Sequence, residues 1–101
     1  MKFGLDQTHI DAMNRIFSQY PAIDRVLIYG SRAKGSYKKG SDIDLTIEGN
    51  GFTYSDLLGI ENKIDDLLLP WKTDLSLLHQ IANPDLIEHI HRIGVVFYEK
   101  M

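Results

Sequence analysis

Two aspartates one residue apart, Asp42 and Asp44, are the clearest chemistry in this chain. Residues 42–47 read Asp-Ile-Asp-Leu-Thr-Ile, an alternation with the period of a half-buried strand. Ile43, Leu45 and Ile47 then face a core, and Asp42 and Asp44 point the other way, about 7 Å apart at their backbones. Like charges held that close repel, and the cost grows as the site dries. A cation between them removes it. Hard oxygen ligands suit Mg²⁺, which takes one or two carboxylates and fills its shell with substrate phosphates.

The residues just upstream supply the other half of such a site. Arg25-Val26-Leu27-Ile28-Tyr29 is an apolar run that reads as a buried strand, and it stops at Gly30-Ser31. Glycine permits a sharp turn and close approach of a ligand to the backbone. Ser31 suits the N-cap of a short helix through Arg32, Ala33 and Lys34, and a helix N-terminus after a strand favours anions. A third acid, Asp74, lies in Thr73-Asp74-Leu75-Ser76-Leu77, where alternation turns Thr73, Leu75 and Leu77 inward and Asp74 toward the same side as the pair.

Gly30-Ser31, ten residues, and then Asp42-Ile43-Asp44 resembles the signature of nucleotidyltransferases of the DNA polymerase β superfamily, with Asp74 as the third carboxylate. Length and element order resemble the minimal nucleotidyltransferase (MNT) domains that pair with HEPN-domain toxins. The resemblance implies an Mg²⁺-dependent enzyme that moves NMP, AMP from ATP first among the choices, onto an acceptor hydroxyl. Asp42, Asp44 and Asp74 would be catalytic and would hold the two metals. Gly30, Ser31 and Arg32 would bind the nucleotide. The chain has no second domain for the acceptor, so a partner or homodimer surface would supply it. The resemblance makes that partner a HEPN toxin, with this chain its antitoxin and the modification an AMP on tyrosine. Two alternatives stand beside this reading: a non-catalytic antitoxin that blocks its partner sterically, and an antibiotic-type nucleotidyltransferase.

The surrounding elements must present these residues. Ile10, Met13, Phe17 and Tyr20 share a helical face that starts near Thr8 and stops at Pro21. Strands follow at 24–29, 42–48 and 71–78, with a mobile loop expected at 35–41. Ser55 suits the cap of a helix carrying Leu57, Ile60, Ile64, Leu67 and Leu68 on one face. Asn83-Pro84-Asp85 starts a last helix that Gly94 ends, and residues 95–98 suit an edge strand. The fold class is α/β, α+β in some schemes: one domain over 1–101, with a small mixed sheet, helices mainly on one face and the site on the open face.

Composition narrows the field. The 101 residues fit one domain, with 44% apolar and 25% charged residues. A net charge of −3 leaves no overall basic footprint for stable nucleic-acid binding. Positive charge is local, at Arg32, Lys34, Lys38 and Lys39. The chain has no cysteine, so thiolate metal sites and disulfides are excluded. No apolar run suggests a membrane span, which makes the cytoplasm the expected compartment. Other motifs fail. Gly30 and Gly35 have Walker A spacing, but Ser36-Tyr37 stands where Lys-Ser/Thr is needed. An EF-hand from Asp42 has Ile47 in place of its turn glycine and Thr53 in place of its last glutamate. His9, His79, His89 and His91 show no metal spacing and read as surface or packing residues; Trp71 reads as packing.

Overall fold

The computed structural model describes residues 2–101. Over these, helix α1 (Gln7–Phe17) precedes strand β1 (Ile23–Tyr29), helix α2 (Gly30–Lys34), strand β2 (Ile43–Gly49), helix α3 (Tyr54–Asp65), strand β3 (Thr73–Leu77), helix α4 (Pro84–Ile93) and strand β4 (Val95–Glu99). One sheet has the order β3-β2-β1-β4. β1 runs antiparallel to β2 and β4, whereas β2 and β3 are parallel. A parallel pair needs a crossover connection, and α3 is that crossover.

The alternation expected of β2 and β3 holds. Ile43, Leu45, Ile47, Leu75 and Leu77 are buried in one cluster with Ile10, Met13, Ile16 and Phe17 of α1 and Leu57, Ile60 and Ile64 of α3. These two helices cover one face of the sheet. The opposite face is partly covered: Leu27 and Tyr29 of β1 pack with Ile90 of α4. The part of that face above β2 and β3 carries Asp44 and Asp74. The small mixed sheet with helices mainly on one face is thus observed, with α4 as the exception. Among the described residues no helix is long and apolar enough to cross a membrane.

Several boundaries differ from expectation for local reasons. α1 ends at Phe17, where short i to i+3 bonds from Gln19 and Tyr20 tighten the chain ahead of Pro21. Tyr20 therefore sits in the turn, still packed on the core. α3 is capped by Thr53, not Ser55: Thr53 Oγ1 accepts from the Asp56 amide at 3.1 Å and the Asp56 carboxylate accepts from the Thr53 amide at 3.1 Å. α3 also ends early, at Asp65. Leu68 leaves the helical face, takes φ +54° and is 87% exposed. α4 starts as expected, with Asn83 Oδ1 accepting from the amides of Asp85 and Leu86.

Candidate active site

Asp44 and Asp74 are direct partners in the parallel β2–β3 ladder. Adjacent strands lie about 4.8 Å apart, so the register alone sets two carboxylates side by side on the open face. Beneath them, Ser76 Oγ donates to Thr46 Oγ1 at 3.0 Å and ties the strands together. Asp42 lies one residue before β2, exposed at the rim. Burial raises the Asp44 pKa above the usual carboxylate value, and the charges of Asp74 and Asp42 raise it further; the Arg32 charge opposes them. Asp44 therefore feels the charge of both other acids.

The glycine corner stands against Asp44. Tyr29, the last residue of β1, is the ladder partner of Asp44. Gly30 then turns with φ +72°, and a Cβ there would collide with Asp44 Oδ2. Glycine is required twice, for the backbone conformation and for the space. α2 begins at Gly30 itself with Tyr29 as its cap, so Ser31 is inside the first turn and is not the N-cap.

Two site residues escaped sequence reasoning. The Gly30 amide donates to His89 Nε2 at 3.2 Å, so α4 reaches into the corner. His89 also meets the Tyr29 ring edge-on, with centroids 6.2 Å apart. A lone histidine on an amphipathic helix carries no spacing signal, and only the packing of α4 on β1 reveals its role. Tyr29 was legible as strand, yet its buried phenol titrates high because of desolvation, with Asp44 and Asp74 adding to the rise. It forms part of the floor under the acids.

Arg32, which the resemblance assigns to the nucleotide, is turned into the protein. Its side chain is 2% exposed. Nε and Nη2 donate to the Ser41 carbonyl at 3.1 and 2.7 Å, and Nη1 donates to the Phe3 carbonyl at 2.8 Å. The guanidinium lies 5.2 Å from the ring centres of both Tyr37 and Trp71. Three of its five N–H donors are used inside the protein. Arg32 thereby fixes the loop that leads to Asp42. That loop, expected to be mobile, is pinned further by Trp71 Nε1 donating to the Lys39 carbonyl at 3.2 Å and by a turn between Lys38 and Ser41. Trp71 packs, as expected.

The donor set suits a hard divalent cation: carboxylate oxygens only, with the like-charge strain on Asp44 to be relieved. Among the described residues no three acidic or imidazole groups converge tightly enough to hold a metal by themselves. Mg²⁺ commonly needs only one or two protein carboxylates when phosphates complete its shell. Asp44 with Asp42 or Asp74 meets that requirement.

The comparisons with known proteins speak to family and fold. A family model described as "Polymerase beta, Nucleotidyltransferase" matches residues 11–101. No curated protein matches the chain. Among solved structures, a chain of a toxin–antitoxin complex with AMP-PNP superposes with a TM-score of 0.71 at 19% identity, over 96% of this chain and 76% of that one. A complex of tri-AMPylated Shewanella oneidensis HEPN toxin with MNT antitoxin gives a TM-score of 0.69 at 15% identity, over 95% and 74%. A Sulfolobus solfataricus protein assigned as a nucleotidyltransferase gives 0.53 at 19% identity, over 96% and 92%. At these identities the structural likeness is one of fold.

Proposed function

The chain belongs to the polymerase β nucleotidyltransferase family, and from that premise we propose that it transfers AMP from ATP to a hydroxyl of a HEPN-domain toxin whose antitoxin it is. The observation that carries the reading is the ladder pairing of Asp44 with Asp74 directly against the Gly30 turn. The partner and the acceptor rest on likeness to the toxin–antitoxin folds, one of which contains a tri-AMPylated toxin.

The chain's residues divide the work as follows. The Ser31 hydroxyl and the Gly30 amide hold the terminal phosphates, once His89 releases that amide. Asp42, Asp44 and Asp74 would hold Mg²⁺, which when bound neutralises the triphosphate and the leaving pyrophosphate. Asp74, on the outermost of the two acid-bearing strands, faces the incoming acceptor and takes its proton. The acceptor oxygen bonds to the α-phosphorus as the bond to the bridging oxygen breaks, and pyrophosphate departs. Such chemistry needs positioning and charge neutralisation more than a covalent nucleophile.

The test is transfer of label from α-labelled ATP to the HEPN partner, compared between the unaltered chain and Asp42→Ala with Asp44→Ala. Transfer should vanish in the double variant; undiminished transfer removes the assignment. A second reading, a steric antitoxin without turnover, is favoured by one observation: His89 occupies the Gly30 amide. Stoichiometry separates the two. A catalyst neutralises excess toxin when ATP and Mg²⁺ are present, whereas a blocker needs equimolar protein and no nucleotide.

A further inference from the structure

β3 is an edge strand, and a groove of about 510 Å³ runs beside it, between Trp71 to Leu75 and the end of α3. Three features set this groove apart. It is continuous with the candidate active site, because Asp74 belongs to both. Its acids, Glu61, Asp65 and Asp74, outnumber its one cation, Lys72. Its apolar wall ends in Leu68, an exposed leucine with positive φ. A β-carbon at positive φ is strained, and such strain persists where the surroundings or a function require it. A large apolar side chain held in water at such a position serves no packing in the free chain. Thr73 in the same groove keeps a buried hydroxyl oxygen with no hydrogen-bond partner, a deficit that native structures seldom leave unmet.

We propose that the groove along β3 docks the acceptor: an extended, positively charged segment of the partner protein, with an apolar side chain on Leu68 and its hydroxyl delivered to Asp74. The acidic lining selects the charge, and the free edge of β3 offers main-chain partners to an extended strand. The naming of the acceptor rests on the transferase reading above; the groove and its charge preference do not.

The chain has a single tryptophan, Trp71, and it lines the groove, so its emission reports occupancy without any catalysis. The probes are the tryptophan-free peptides Lys-Leu-Tyr-Lys-Leu and Glu-Leu-Tyr-Glu-Leu, titrated into the full chain with neither ATP nor Mg²⁺. The basic peptide should shift Trp71 emission saturably and bind about tenfold more tightly than the acidic one. Glu61→Gln with Asp65→Asn should erase that preference. Leu68→Gly should weaken the basic peptide about fivefold while raising the unfolding temperature, since glycine accepts the positive φ; loss of binding in a more stable chain cannot be misfolding. No response to the basic peptide, equal response to both, or unchanged binding in these variants overturns the proposal. Silence here leaves the transferase reading standing, and silence in the label-transfer assay leaves the groove standing.

Discussion

The Gly30 amide donates a 3.2 Å hydrogen bond to His89 Nε2, joining the tightest turn of the site to a helix 59 residues away in sequence. To accept this bond the imidazole must be neutral, with its proton on Nδ1. A phosphate seeking the same amide must displace it. A neutral hydrogen bond contributes about 1 kcal/mol net. His89→Ala is therefore expected to tighten binding of a non-hydrolysable ATP analogue by roughly fivefold, measured by calorimetry. Weaker binding would mean that the imidazole swings to contact the nucleotide.

Gly30 and Gly35 both have positive φ, but only Gly30 has a neighbour in the way. Gly30→Ala drives a methyl into the Asp44 carboxylate and should cost about 2–4 kcal/mol in urea unfolding, with loss of label transfer. Gly35→Ala meets nothing within 4 Å and should cost about 1 kcal/mol, with transfer retained. Equal effects would mean that conformation alone governs the corner.

Asp44 titrates above an ordinary carboxylate because it is desolvated and sits near Asp74 and Asp42. The folded chain then keeps a proton at pH values where the unfolded chain has lost it. Stability is accordingly higher below the ordinary carboxylate range and falls as pH rises through the raised value, so neutral pH lies on the destabilised side. In EDTA at pH 7, Asp44→Asn should raise the thermal midpoint and flatten the acid limb of the stability profile. Mg²⁺ with an ATP analogue should stabilise the unaltered chain and not the variant. A lower midpoint for Asp44→Asn in EDTA would contradict the sign.

Arg32 separates a structural from a binding role. Its three hydrogen bonds and two aromatic faces are beyond a lysine, whose ammonium lacks the planar fork. Arg32→Lys should lose about 2–4 kcal/mol of stability and open the 35–41 loop to protease, with no rescue relative to Arg32→Met. A variant of normal stability with impaired ATP affinity would return Arg32 to the phosphates.

Period-two alternation carried most of what the sequence revealed. It assigned the faces of Asp44, Asp74, Leu45 and Leu75 because strand geometry is local and each face has one environment. Capping was half legible. Asn83 has proline and an acid behind it, while Thr53 and Ser55 compete, and only the Asp56 carboxylate decides between them. The contacts of Arg32 and His89 were not legible for one reason: their partners are the Phe3 and Ser41 carbonyls and the Gly30 amide, main-chain atoms that bear no residue-specific mark. The end of α3 was missed because Leu67-Leu68-Leu69 continues an apolar pattern through a backbone that has already left the helix.

Because the β2–β3 contact is a parallel ladder closed over a helical crossover, the spacing of Asp44 and Asp74 is independent of the loops at either end of α3. Those connections are free to lengthen or shorten without retuning the carboxylates. A slip of β3 by one ladder step against β2 is not tolerated, since it would turn Asp74 into the core and expose Leu75 and Leu77. Variation among relatives of this chain should therefore accumulate on either side of α3, while the span from Gly30 to Asp44, threaded through the Arg32 clamp, keeps its length.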